Sequence, residues 1–338
     1  ILYSAHSKTN DERSTKRITS TMHSSLINPF GLHDADGYMW LKGNLHTHTT
    51  NSDGRVAPQA RLDQYAAKGD DFLCLSDHYT ITRVDTVCAP DDFVLVQGAE
   101  LHPLNPFGGR QYHLLCLDIH EDMDSEAMAP QEVIDSVNDQ GGAVWLAHPH
   151  FCAINILRDV MPLSGFAGIE VFNTSTRLAG RGEASVQWDD WSDLGEHLIP
   201  TIASDDAHAT EAENRDTYAA WTVVRAKERS VAAIMQAIKS GASYATTGPD
   251  FHDISLSWIQ DGTEAPGKFK ASIRSSEVVR VLAVTDYIGA EYTEQGKMFD
   301  RCELELRADN KWVRFELIGP NDTKAWSNPF DLTLAGAT

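Results

Sequence analysis

From about residue 40 the chain alternates short apolar runs with stretches whose apolar residues recur at helical spacing. The runs cover residues 41–45, 72–75, 93–96, 112–119, 143–147, 168–171 and 199–203, and read as short strands. The helices between them carry their own punctuation. Pro58 opens one, Leu62, Tyr65 and Ala66 share its apolar face, and Gly69 closes it. A second begins at Pro130, buries Val133, Ile134 and Val137, and stops at Gly141. A third starts behind Ser230 as N-cap and runs through Ile234, Met235 and Ile238 to Gly241. Such repeated β-α units predict an α/β architecture.

After about residue 250 the period changes to two. Residues 254–258, 278–284, 302–306 and 312–318 alternate apolar and polar positions between Gly, Asp and Asn, which predicts antiparallel strands. Before residue 40 the composition is polar and aperiodic, that of a tail or a strap. The division expected is therefore a strap over 1–39, an α/β unit over 40–250 and a small β-rich unit over 251–338.

Composition removes whole classes of function. With 338 residues, 42% of them hydrophobic, the chain can bury a substantial core. The 49 acidic against 28 basic residues leave a net charge of −21, which repels polyanions and anionic lipid surfaces, so neither nucleic acid nor membrane is an expected partner. No apolar run approaches the roughly 20 residues of a spanning helix. Cys74, Cys88, Cys116, Cys152 and Cys302 are odd in number and lack CxxC spacing, which points to a reducing, cytoplasmic setting and away from a thiolate metal site. The chain begins at Ile1, so the expectation leaves room for a removed leader.

The chemistry sits where the strands stop. The run 41–45 leads into His46-Thr47-His48, 72–75 into Ser76-Asp77-His78, 93–96 through Gly98 to Glu100, and 143–147 into His148-Pro149-His150. The run 168–171 contains Glu170 and leads to Asn173, and 199–203 leads into Asp205-Asp206-Ala207-His208. His113 is the exception, standing at the start of its run. In a parallel barrel the C-terminal strand ends surround one mouth, so ligands far apart in sequence converge there. Imidazoles with carboxylates form a ligand set for zinc, iron or manganese.

The ordered series His46-Thr47-His48, Ser52-Asp53-Gly54, Ser76-Asp77-His78, Gly98-Ala99-Glu100, His113, His148-Pro149 and Asp206-Ala207-His208 resembles the polymerase-and-histidinol-phosphatase (PHP) family over about residues 40–250. The resemblance implies a distorted (β/α)7 barrel holding two to three divalent ions (Zn, Mn or Fe), with His46, His48, Asp53, His78, Glu100, His113, His148, Asp206 and His208 as ligands. It further implies a water shared by two ions bridged by Glu100, acidified from about 15.7 towards 7 so that hydroxide is the nucleophile, with Glu100, Asp206 and His208 at the reacting centre. Asp53, His78 and His208 would hold the third ion. The position after His78, often acidic in the family, is Tyr79 here. The segment Lys324-Ala325-Trp326-Ser327-Asn328-Pro329 is similar to the β tail of the carbaryl-hydrolase-type branch of that family.

The function expected is metal-dependent hydrolysis of a small-molecule ester, a phosphoester first. The rivals are a carbamate, amide or carboxylic-ester hydrolase with the same metals, and a non-catalytic metal-binding module. Arg177, Arg181 and Arg215 are candidate phosphate contacts, and His102 and His150, each two residues past a ligand, are candidate substrate contacts. His6, His23, His33, His120, His197 and His252 are expected to be surface or hydrogen-bonded structural residues.

Overall fold

The computed structural model describes residues 26–108, 110–152, 157–195, 197–213, 215–259 and 267–333. Seven strands build the first part: β1 (Met39–Asn44), β2 (Phe72–Leu75), β3 (Val94–Leu101), β4 (Leu114–Leu117), β5 (Ala143–Leu146), β6 (Gly168–Asn173) and β7 (Thr201–Ser204). They are hydrogen-bonded in sequence order. Period two explains how each strand is buried twice: Leu115, Leu117 and Trp145 join Leu41, Leu45 and Ile202 in one apolar cluster. The alternate residues Leu114, Cys116, Val144 and Leu146 join another, with Val133, Ile134, Val137 and Trp188 from helices Pro130–Asp139 and Ser185–Leu194.

Two features correct the expected barrel of seven parallel β-α units. First, β4 runs antiparallel to both β3 and β5. Its beginning therefore lies at the end of the sheet where its neighbours finish, which is why His113 precedes its strand while the other candidates follow theirs. Second, the barrel is not closed. Among the described residues β1 and β7 share no ladder and meet only beyond their ends, where Thr47 bridges Ala207, Asp206 N donates to His46 O at 2.8 Å and His48 N to Ala207 O at 2.9 Å. Below that seam β1 pairs instead, antiparallel, with β8 (Trp221–Ala226), which pairs with β9 (Ser243–Thr246).

The strands after residue 250 are β10 (Phe251–Ile259), β11 (Lys268–Val278), β12 (Arg280–Thr285), β13 (Ala290–Tyr292), β14 (Phe299–Arg307), β15 (Trp312–Ile318), β16 (Lys324–Ser327) and β17 (Phe330–Asp331). β10, β11 and β14 form a three-stranded sheet, whereas β16 pairs with β9 and carries β15, β12 and β13 into the sheet of the α/β part. Phe269, Ile273 and Leu304 of the small sheet pack on Val313, Phe315 and Leu317 of β15. The other face of β15 meets helix Ser185–Leu194, where Arg314 forms a two-pronged ion pair with Asp189 at 2.6 and 2.7 Å. Both faces being covered, every residue of β15 is buried.

The segment singled out at 324–329 is a seam. Asn328 Nδ2 donates to Gly241 O and Ser243 O, and its Oδ1 accepts from Thr201 N at 2.8 Å. Of the proposed strap, residues 1–25 lie outside the described residues. Leu32 O accepts from buried Arg225 at 2.8 Å, and Phe30 packs among Trp40, Tyr244 and Phe251. Among the described residues no helix is long and apolar enough to cross a membrane, and the cysteines form no disulfide.

Candidate metal centre

The rim seam of β1 and β7 builds the site's floor. Arg61, fully buried on helix Pro58–Ala67, donates to the carbonyls of His48, Ala207 and Ala209 and so fixes both extensions. The loop that carries Asp53 turns back over His48 at Gly54, where a Cβ would lie 2.5 Å from the His48 carbonyl carbon. Asp77 organises this loop. Its carboxylate accepts from Thr49 N at 2.8 Å, Thr49 Oγ1 at 2.7 Å and Ser52 Oγ at 2.6 Å, which leaves His78 to face the cluster. His148 (φ 27°) and Asp206 (φ 54°) occupy backbone conformations uncommon for residues with a Cβ, as functional residues often do.

Glu100 is the hub. Its Oε2 lies 3.1 Å from His46 Nε2, 3.3 Å from His48 Nε2 and 3.1 Å from His78 Nδ1. Its Oε1 lies 2.7 Å from His113 Nδ1 and 3.1 Å from His148 Nε2. Asp206 Oδ1 adds contacts of 2.9 Å to His48 and 3.3 Å to His46. Asp53 Oδ1 stands 3.5 Å from His78 Nε2 and 3.3 Å from His208 Nε2. All nine residues of the sequence-read ligand set thus gather in one place.

The spacing has a physical meaning. Two donor atoms each about 2.1 Å from one ion are about 3.0 Å apart in an octahedral shell and about 3.4 Å apart in a tetrahedral one. Both ring nitrogens of His48, Nδ1 of His78 and Oδ1 of Asp206 are buried yet have no hydrogen-bond partner, although a neighbouring acceptor or donor is close. They sit side by side without pointing at one another. Buried polar atoms in that arrangement fit a shared cation.

Charge tells the same story. Burial favours a neutral Glu100, but the surrounding imidazoles of His46, His113 and His102 hold it well below the usual carboxylate range. Asp206 is likewise held low against burial, by His46, His48 and His208. Burial disfavours charged imidazoles, but Asp206, Glu100 and Glu170 raise His46 well above its ordinary value. Asp53 and Glu100 outweigh burial to take His78 to about 10, and Asp53 and Asp206 take His208 to about 9. His113 goes the other way, pushed down to about 4 by burial despite Glu100. Without metal the cluster is a trap for protons, and with metal those protons are what the ion displaces.

Two contributors escape a reading of strand ends. Glu170 stands inside an otherwise apolar strand, the one signal the sequence offers for it. Its carboxylate accepts from His148 N at 2.7 Å and Asn173 Nδ2 at 2.9 Å and lies 3.2 Å from His46 Nδ1, so it turns His46 Nε2 towards Glu100. Cys152, one helical turn beyond His148, places Sγ 3.3 Å from His148 Nδ1. Every neighbour of Glu170 is a donor, so Glu170→Gln presents an amide N–H to them. We expect that variant to lose roughly 10- to 100-fold in metal affinity, read by titration with a chromophoric chelator as competitor.

The expected substrate contacts divide. His102 enters the cluster, with Nε2 3.6 Å from Glu100 Oε1. His150 turns aside, its Nδ1 2.8 Å from Glu183 O. Arg177, Arg181 and Arg215 are exposed, and among the described residues none is hydrogen-bonded or ion-paired to the cluster. Arg177 lines a cavity of about 420 Å³ with Phe172, Glu183, Lys324 and Trp326. His33, His120, His197 and His252 are exposed.

No family model matches the chain. An uncharacterized protein of Methanocaldococcus jannaschii is 26% identical over 149 residues, covering 40% of this chain and 84% of that protein. Among solved structures, the chain is similar to a two-domain protein of Bacteroides vulgatus containing a predicted PHP-like metal-dependent phosphoesterase, at 15% identity and a TM-score of 0.47 over 93% of this chain and 99% of that one. It is also similar to an amidohydrolase of Chromobacterium violaceum with bound sulfate and no metal, at 16% identity and a TM-score of 0.39 over 52% of this chain and 89% of that one.

Proposed function

We propose that the chain is a PHP-type metal-dependent hydrolase of small esters, phosphoesters first, working with two to three divalent ions. The observation that carries this reading is Glu100, a buried carboxylate whose two oxygens face two different sets of imidazole nitrogens at the separations of ligands around a common ion. A carboxylate so placed would be able to bridge two ions. His46, His48 and Asp206 would hold one ion with Glu100, His113 and His148 would hold the second, and Asp53, His78 and His208 would hold the third.

Bound there, divalent ions supply Lewis acidity and an acidified water. The chain's own residues do the rest. Glu170 orients His46 through Nδ1, Asp77 holds the Thr49–Ser52 turn beneath Asp53, and burial of Glu100 and Asp206 keeps bulk water from screening the charges that meet the substrate. With two to three divalent ions bound, the site would present positive charge that suits a phosphoester.

One observation favours a neutral ester or carbamate as the second reading: among the described residues no Arg or Lys side chain is bonded to a side chain of the cluster, Arg61 reaching only the backbone carbonyl of His48. Turnover of p-nitrophenyl phosphate, its bis-ester and naphthyl carbamate by protein loaded with Zn, Mn or Fe separates the two. We expect the phosphate esters to be cleaved fastest. Carbamate cleavage without phosphatase or phosphodiesterase activity would reverse the order, and no turnover at all would favour a non-catalytic metal module.

A further inference from the structure

Outside the nine candidate ligands, one buried polar atom faces Glu100 with nothing bonded to it. His102 follows β3 directly and its side chain is 9% exposed. The ring is clamped, stacked on His113 at 3.9 Å between centroids and set edge-on to His78 at 4.7 Å. Its Nδ1 lies 3.1 Å from the hydroxyl of Tyr79. Its Nε2 is buried without a hydrogen-bond partner, 3.6 Å from Glu100 Oε1.

Neighbours assign the proton. A lone pair on Nε2 would face a carboxylate oxygen across a short, poorly hydrated gap, whereas an N–H there is attracted to it. The phenol of Tyr79 can donate to Nδ1, which completes the tautomer with hydrogen on Nε2. In that state His102 has no lone pair to give an ion and offers a hydrogen-bond donor to the reacting centre. Tyr79 occupies a left-handed backbone conformation (φ 61°), costly for a bulky aromatic residue, and its N–H donates to Glu100 O at 3.1 Å.

We propose that His102, oriented by Tyr79, contacts the substrate: Nε2–H donates to a non-bridging oxygen of the bound phosphoryl group, and Tyr79 is its positioning residue. The inference rests on the phosphoesterase reading above. It gives the site a donor for a phosphoryl oxygen where no arginine or lysine supplies one, and it places Tyr79 in that work at the position where the resembled family often carries an acid.

The test uses metal-loaded wild type, His102→Ala, His102→Gln and Tyr79→Phe. Ion content is measured by elemental analysis, inorganic phosphate binding by calorimetry, and kcat and KM with p-nitrophenyl phosphate. We expect ion content to be unchanged throughout. Loss of one charge-assisted hydrogen bond should weaken phosphate binding and kcat/KM roughly 10- to 100-fold in His102→Ala. His102→Gln, whose amide can donate from the same place, should recover part of it. Tyr79→Phe should raise KM more than it lowers kcat.

Loss of an ion in His102→Ala would make His102 a ligand and overturn the proposal, as would unchanged phosphate affinity in that variant. A wild type that holds its ions but neither binds phosphate nor cleaves the ester would overturn the phosphoesterase reading and this inference with it. That failure shows in the wild type, and the others only in the variants.

Discussion

Glu100→Gln should abolish most turnover while the protein keeps its fold. The carboxylate is fully buried and stands between imidazoles on both of its oxygens. Glutamine keeps the volume but removes the charge and makes one of the two positions an N–H donor, which cannot ligate. On the proposed reading one ion would then be held less tightly, and Glu100 would no longer link two of them. We expect kcat to fall by at least about 100- to 1000-fold, in line with removing an electrostatic element of a reacting centre, and ion content to drop by about one per chain. Far-UV circular dichroism should be unchanged, because the histidines can lose the protons that Glu100 stabilised. Wild-type turnover in this variant would reduce Glu100 to a structural carboxylate.

Removal of metal should have an effect as large, with a dependence on pH whose sign the cluster dictates. Protein purified without chelator should hold two to three ions per chain by elemental analysis, and chelation should end activity. For the metal-free protein, His78 titrates at about 10 and His208 at about 9 when folded, against about 6.5 in an unfolded chain. Their stabilisation is therefore complete below about pH 6.5 and is lost as the pH rises through 9 and 10. The low carboxylates Glu100 and Asp206 matter only on the acid side, and His113, depressed to about 4, is neutral in both states above pH 7. The chelated protein should thus melt at progressively lower temperature from pH 7 to 10. Metal binding strengthens over the same range as its proton competitors leave. An ion present at 1000 times its Kd adds about 4 kcal/mol, so the Tm gap between loaded and chelated protein should be on the order of 10 °C and widen with pH. A gap that is absent, or that narrows towards pH 9, would count against these histidines as ligands.

Most residues of the candidate cluster were legible in the sequence because strand ends are, whereas Asp53, in a loop, came with the family resemblance. An apolar run of four or five residues followed by His, Asp or Glu is a local signal, and β-α repetition says that such ends share one mouth. Helix limits were equally local: Ser230 caps with its side chain on Ala233 N, and Gly241 ends that helix at φ 77°. Local signals also placed β2 and β15 to the residue.

Direction, closure and the partners of the ligands were decided only by the tertiary structure. Nothing within residues 112–119 announces that β4 runs backwards, since its burial on both faces is the same in either direction, and only its neighbours β3 and β5 make His113 come first. Nor does β1 carry a sign that it will pair with β8 in place of β7, a choice made by non-local packing. Glu170 looks like an intruder in a strand until His46, His148 and Asn173 surround it. His102 and His150 are alike in sequence, each two residues past a ligand, yet one faces Glu100 and the other a backbone carbonyl. Sequence determines which residues can ligate and roughly where they stand along the chain. The fold determines which of their atoms meet, because distance and orientation between remote strands are set by packing that no local pattern contains.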